Sequence, residues 1–292
     1  MSKLAIIIPY YNFDFFEKTI QSVAAQTNQK FNLYIGNDAS PNNPIPIIEK
    51  YLKNGDYQYF DYQENVGGKN LALQWKRILK NVQEEWFQIL GDDDVIPLDF
   101  VENFYHSLNE LLDKKINVLK FPIKIINEND TYIRESSFQK KIINRLDFLM
   151  SRIDYTALSS LSENIFRTES YLKFKIKEFP LAWHSDDCMI FEYAENNQIL
   201  YCEDTFVMVR MSGKNISSTD THSSQKAKAT YNFFEYIIQN HYKKFNSLQK
   251  KIIIKNFKKH LYYSQYKINI KTLITICFDN FVEGLKLLKY LF

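Results

Sequence analysis

The chain has 292 residues, 45% of them apolar and 16% aromatic, a composition that suits a globular protein and excludes disorder. Its 37 basic and 34 acidic residues leave a net charge of +3, too small for a general polyanion-binding role, so no nucleic-acid partner is expected. Three scattered cysteines, Cys188, Cys202 and Cys277, exclude a disulfide framework or a cysteine-rich zinc site and point to a reducing compartment.

In chain order, LAIII (4–8) is a short continuous apolar run suited to a buried strand, and 13–26 has helical spacing at Phe16, Ile20, Val23 and Ala24. The same alternation follows with a strand at 31–36, a helix at 45–53, a strand at 57–62 and a helix at 68–82. A fourth strand at 86–90, a helix at 98–112 and a fifth strand at 116–126 complete the regular half. Strands alternating with helices of this length predict βαβ crossovers and a largely parallel sheet, which binds ligands at the carboxyl ends of its strands. Polar clusters fall at four such ends: PYYN, NDASPNN, QENVGG and GDDD. That convergence predicts a binding cleft.

From 126 to 215 the pattern is less regular, with a helix predicted at 142–151, a strand near 161–166, a helix beginning near 184 and a strand at 199–210. The polar stretch 212–224 reads as a flexible segment or lid. Residues 225–292 carry long helical patterns with almost no Gly or Pro.

The chemistry concentrates in WFQILGDDDVIP (86–97). Asp92, Asp93 and Asp94 are equally consistent with a solvated loop or a helix cap on local grounds. A hydrophobic strand, however, delivers them to the sheet edge where the other polar clusters meet. Hard oxygen ligands there suit Mg²⁺ or Mn²⁺, completed by substrate phosphates. Asp38 ends the second strand and reads either as an acceptor for a ring N–H of a base or as an Asx-turn before Ser40-Pro41. Asn65, Gly67 and Gly68 suit a tight turn near a ligand. No GxGxxG or Walker motif is present, so neither a dinucleotide fold nor a P-loop is supported.

The order LAIIIPYYN, FNLYIGNDAS, ENVGG and ILGDDDVIP resembles glycosyltransferase family 2, over about residues 4–215. The resemblance implies an α/β GT-A fold, Rossmann-like with a mostly parallel sheet flanked by helices, and an inverting reaction. It divides the chain into a catalytic domain at 1–215 and a helical C-terminal region at 225–292. The nucleotide-sugar-binding half would be 1–125 and the acceptor-binding half 126–215. It implies a nucleotide-sugar donor, expected to be a UDP-hexose or UDP-N-acetylhexosamine, with Pro9, Tyr11, Asn12, Asp38, Asn65, Gly67, Lys69, Asp92 and Arg210 around it.

The acidic triplet would be the family's D-x-D metal motif for Mn²⁺ or Mg²⁺, with Asp93 as the favoured ligand and Asp94 beside it. The register departs from the family pattern, since the usual first aspartate falls on Gly91 and the second on Asp93; in a shifted register Asp92 and Asp94 would form the D-x-D instead. In WHSDDCMIFEYA the resemblance puts the general base on Asp187, with Asp186 in reserve, while a helix cap at Ser185 or Asp186 is the bland alternative. Trp183 and His184 would line the acceptor site. Arg210 matches the family's arginine, but its following histidine is Ser212 here, which leaves Lys214, His222 or the metal to compensate.

The short apolar N-terminal run does not read as a signal peptide, and no stretch reaches the roughly 18 apolar residues of a membrane span. The expected location is therefore cytoplasmic. The basic, aromatic C-terminal region is open to three readings: packing on the catalytic domain, a homo-oligomer contact, or a peripheral helix on an anionic membrane. The expected function is transfer to a glycan or lipid-linked glycan acceptor in surface polysaccharide synthesis. The alternatives are a non-catalytic nucleotide- or glycan-binding protein on a degenerate transferase fold and a sugar nucleotidyltransferase.

Overall fold

The computed structural model describes residues 2–213 and 221–291. Its first half follows the alternation read from the sequence. Strands β1 (Leu4–Tyr10), β2 (Phe31–Asp38), β3 (Tyr57–Tyr62) and β4 (Trp86–Ile89) are separated by helices α1 (Phe16–Ala24), α2 (Ile45–Tyr51) and α3 (Leu71–Leu79). All four strands are parallel, in the order β3-β2-β1-β4. Their carboxyl ends therefore share one edge, with Tyr10 opposite Asn37 and Asp38 opposite Tyr62.

Strand periodicity splits β1 between two cores. Leu4, Ile6, Ile8 and Tyr10 join one cluster with Phe16, Ile20 and Val23 of α1 and with Phe100 and Phe104 of α4 (Phe100–Asp113). Ala5 and Ile7 join the other with Trp75 and Ile78 of α3. Burying each large side chain contributes about 1.5–3 kcal/mol, so helices on both faces fix the sheet and its edge.

Beyond α4 the structure divides what the sequence pattern joins. The expected strand 116–126 becomes β5 (Val118–Lys120) in the large sheet and β6 (Ile123–Ile126) in a small one. Pro122 lies between them and has no N–H for a ladder, so the chain can change sheets there. The expected helix at 142–151 opens as a strand, β8 (Ile142–Asn144), before α5 (Arg145–Ile153). After β7 (Tyr132–Ser136) and β9 (Asn164–Arg167), the expected strand 199–210 likewise divides into β10 (Gln198–Tyr201) and β11 (Val207–Arg210). The large sheet runs β3-β2-β1-β4-β9-β5-β10-β8 and the small one β11-β6-β7.

Helices α6 (Thr168–Phe174) and α7 (Ser185–Tyr193) complete the mixed half. The C-terminal segment forms α8 (Ser223–His241), α9 (Ser247–Ser264), α10 (Ile270–Asp279) and α11 (Phe281–Leu287). Phe233, Ile237 and Phe257 from these helices share one core with Leu149 of α5 and with Cys188 and Phe191 of α7. The C-terminal helices are thus built onto the helices that carry the second half of the site. Among the described residues, no helix is long and apolar enough to cross a membrane.

Candidate active site

The loops at the carboxyl edge are stitched to one another. Asp92 Oδ2 accepts the backbone N–H groups of Tyr11 and Asn12, each at 2.7 Å, tying the loop after β4 to the loop after β1. Tyr11 O in turn accepts from Ser40 Oγ at 2.7 Å, which ties in the loop after β2. Pro9 lies in β1 between the buried Ile8 and Tyr10, and the Tyr11 side chain is exposed. Burial and the neighbouring Asp93 charge push the Asp92 carboxyl up to about 7.

Asp38 is buried, and both its oxygens are engaged. Val66 N–H donates to Oδ1 at 2.9 Å and Gly67 N–H to Oδ2 at 2.8 Å, while Arg77 pairs with Oδ1. Burial raises the Asp38 carboxyl, against the opposing pull of the two amides. Asp38 thus builds the ENVGG turn and joins it to Arg77 of α3. A Cβ on Gly67 would lie 2.4 Å from Asp38 Oδ2, so the turn closes only around a glycine. Asn65 Oδ1 accepts the Gly68 amide within the same turn, and Lys69 forms an exposed ion pair with Glu64.

The three consecutive aspartates have different surroundings. Val95 and Met208 form an antiparallel bridge, which pins the acidic loop to β11 and brings Arg210 beneath it. Asp94 is buried; its Oδ1 accepts the Arg210 amide at 2.9 Å and its Oδ2 the Ser162 hydroxyl. Asp94 thus holds the acidic loop against β11 and Ser162. Burial and Asp93 push its carboxyl well above the usual range.

Arg210 is fully buried. Its Nε donates to Asp93 O at 3.0 Å, and its guanidinium also meets Asn127 O and Asp130, with the Phe15 ring 4.4 Å away. Arg210 therefore braces the acidic loop through the Asp93 carbonyl. At Gly91, where the family's usual aspartate would fall, a Cβ would meet Asp94 Oδ2 at 2.9 Å and Asp93 Oδ1 at 3.1 Å, so a side chain there would displace these carboxylates.

Among the described residues, no group of three His, Cys, Asp or Glu side chains forms a ready-made metal cage. Crowded carboxylates on a strand end do fit a divalent ion that shares its coordination with phosphates. Asp93 and the Asp92 oxygen that binds neither amide are the groups placed for that.

The second half contributes α7. Its N-terminal approach is unusual: Leu181, Ala182 and His184 all have left-handed backbones, with φ of 59°, 55° and 68°. Non-glycine residues in that region cost about 1 kcal/mol or more each and persist only where packing demands them. Neither Ser185 nor Asp186 caps the helix; His184 holds the cap position, and Ser185 Oγ donates to Lys177 O.

The adjacent aspartates diverge. Asp187 is 1% exposed, with Arg152 Nε donating to Oδ1 at 2.7 Å and His184 Nδ1 lying 2.8 Å from Oδ2. Burial alone would raise its carboxyl, but Arg152 and His184 outweigh that and hold it well below the usual range. Asp186 remains partly exposed, and burial together with the Asp187 charge pushes it up to about 7. A carboxylate clamped by a guanidinium is a poor proton acceptor, whereas one poised near neutrality is a good one. Asp186 is therefore the less engaged of the two carboxylates, while Asp187 is held between Arg152 and His184.

His184 does not face an open acceptor site. Its Nε2 lies 3.0 Å from Thr230 Oγ1, and its ring stacks on Phe233 at 4.5 Å. Trp183 lies beside it, half-buried, with Lys226 over its ring at 5.0 Å. His222 precedes α8 at its cap position and pairs with Gln225, and Lys214 with most of the expected lid lies outside the described residues.

Sequence reasoning missed Arg77, Arg152, Ser162 and the buried pair Lys120–Glu163, whose Nζ–Oε1 distance is 2.6 Å. Ser162 holds Asp94, and its neighbour Glu163 is anchored by Lys120, so the acidic loop rests on the segment that leads into β9.

Comparison with known proteins agrees with this geometry. Residues 5–168 match the family described as Glycosyl transferase family 2. An uncharacterized glycosyltransferase of Rickettsia conorii is 29% identical over 190 residues, covering 59% of this chain and 31% of that protein. A poly-beta-1,6-N-acetyl-D-glucosamine synthase of Staphylococcus aureus is 31% identical over 102 residues, covering 34% of this chain and 24% of that protein. The chain thus spans about a third or less of these curated relatives. Among solved structures, S. aureus TarS 1–349 in complex with UDP-GlcNAc superposes with a TM-score of 0.67 at 20% identity, covering 97% of this chain and 81% of that one. With the family match spanning more than half of its length, this chain belongs to glycosyltransferase family 2.

Proposed function

We propose that the protein is an inverting glycosyltransferase that moves a sugar from a UDP-sugar to a hydroxyl of a glycan acceptor in surface polysaccharide synthesis. The observation that carries this reading is the acidic loop at the carboxyl edge of the parallel sheet, tied to PYYN through Asp92 and to Ser162 through Asp94. The partly exposed Asp186 at the start of α7 supplies a second carboxylate. The S. aureus relative and the UDP-GlcNAc complex of TarS make a UDP-N-acetylhexosamine the first donor to test.

In this reading Asp186 accepts the proton of the acceptor hydroxyl as its oxygen attacks the anomeric carbon. The new C–O bond forms on the face opposite the diphosphate, the sugar–phosphate bond breaks, and UDP leaves with the electron pair. The configuration inverts, giving a β linkage from an α-linked donor. Asp187, fixed by Arg152 and His184, positions the start of α7 and keeps a negative charge beside Asp186, which raises its basicity. A divalent ion held by Asp93 and Asp92 would supply charge neutralisation for the departing diphosphate.

The test is UDP release from UDP-N-acetylglucosamine and UDP-glucose, with water as the default acceptor. Wild-type protein is expected to release UDP above the buffer rate, and Asp186→Asn to lower that by about a hundredfold or more. Activity should fall on the acid side of about pH 7, where Asp186 is protonated. Unchanged turnover in Asp186→Asn would remove the assigned base.

A further inference from the structure

The C-terminal helices differ in charge from the rest of the molecule. Residues 221–291 contain thirteen lysines against Glu235, Asp279 and Glu283, whereas residues 1–220 contain 24 basic and 31 acidic side chains. Glu235 is buried and bonded to Thr272, while Asp279 and Glu283 are already paired with Lys250, Lys258 and Lys286. The surface of this module is therefore strongly positive on a chain that is nearly neutral overall.

The same module exposes large apolar side chains. Ile270, Ile274 and Phe278 recur at four-residue spacing along α10, and Phe281, Leu285 and Leu288 continue the pattern from α11. Phe278 is 90% exposed and Phe281 65%. The opposite faces of both helices are used in the core through Leu273, Ile276 and Leu287. At the helix junction a Cβ on Gly284 would lie 2.2 Å from Cys277 Sγ, so α10 and α11 approach as closely as backbone allows, with Phe278 and Leu285 flanking the contact. Beside them, Lys258, Leu285, Lys286, Lys289 and Tyr290 line a cleft of about 460 Å³.

The geometry points to a membrane-docking face: α10 and α11 place Phe278, Phe281 and Leu285 into the headgroup boundary of an anionic bilayer, and the lysine cleft receives a lipid phosphate. Charge decides among occupants. A second copy docked through this face would set one excess of ten positive charges against another. A nucleic acid would answer the lysines but leave the phenylalanines in water. An anionic bilayer matches both, as basic amphipathic helices do generally.

The test uses the full chain and co-sedimentation with two vesicle types, phosphatidylcholine alone and phosphatidylcholine with phosphatidylglycerol. Deleting the helices is unsuitable, since α8 and α9 share the core of α5 and α7. The variants are Phe278→Ser with Phe281→Ser, and Lys286→Glu with Lys289→Glu, all at exposed positions. Expected is binding to the phosphatidylglycerol vesicles that weakens with salt and drops about tenfold or more in either double variant. Thermal unfolding and UDP binding should stay as in wild type, which separates a lost surface from a lost fold. Wild-type protein remaining in the supernatant with anionic vesicles would overturn the proposal. So would equal binding to phosphatidylcholine alone, or a wild-type dimer that the phenylalanine variant dissociates without any vesicle binding.

Discussion

Arg152 and Asp187 form a buried ion pair across two helices, with Nε 2.7 Å from Oδ1 and the carboxylate 1% exposed. His184 occupies the other carboxylate oxygen and passes the connection on to Thr230 of α8. The pair thus joins α5, α7 and the C-terminal helices at the point where α7 presents Asp186.

Asp187→Asn leaves the Arg152 guanidinium without its counter-charge in a nearly dry site. Such a loss costs about 3–5 kcal/mol, to be read from urea unfolding at pH 7. The folded Asp187 carboxyl lies below its ordinary value of 3.8, so this stability is present above that value and is lost as pH falls below it. The difference between wild type and variant should therefore shrink in acid. A variant as stable as wild type at pH 7 would contradict the assignment.

Asp186→Asn should do the opposite. The folded carboxyl titrates at about 7 against an ordinary 3.8, so the charged form costs stability as pH rises through that interval. The variant is expected to be more stable than wild type by about 1–2 kcal/mol at pH 8, after allowance for partial solvation, and equal to it near pH 4. Melting temperatures at the two pH values check this. Stabilisation together with lost turnover is the pattern of a functional site held at a stability cost.

Gly67→Ala drives a methyl group into Asp38 Oδ2 at 2.4 Å, where Val66, Gly67 and Arg77 converge. A displaced turn should cost about 1–3 kcal/mol of stability and weaken UDP binding. Calorimetry of the variant checks both. Gly55→Ala serves as a control for stability at a glycine away from this turn, where the added Cβ meets no atom within 4 Å but the positive φ of 103° remains strained.

Lys120→Met removes the partner of Glu163 in a site where both side chains are buried. Glu163 keeps its bonds from Ser159 and Ser160 but loses its cation, so about 3–5 kcal/mol of destabilisation is expected in urea unfolding. Because Glu163 also acts electrostatically on Asp186, the activity–pH profile of the folded variant should move to higher pH.

The parallel half was legible in the sequence because a buried strand writes itself as a continuous apolar run, and the loops at its end need no distant partner to be recognised. The mixed half was less so. A run such as 116–126 is apolar throughout whether it serves one sheet or two, and only Pro122 marked the break. The site residues divide the same way. Spacing placed Asp92 to Asp94 at a strand end and Asp186 and Asp187 at a helix start, but it could not distinguish their surroundings. Those depend on Ser162, Arg210 and Arg152, which are brought in from 68, 116 and 35 positions away.

The most direct measurement is a calorimetric titration of UDP and GDP into wild-type protein and Asp93→Ala, with and without Mn²⁺. The account predicts that UDP binds with Mn²⁺ and that Asp93→Ala weakens this binding at least about tenfold while unfolding as wild type does. Absence of binding by either nucleotide, or UDP binding indifferent to Asp93, would contradict the placement of the donor site on the acidic loop.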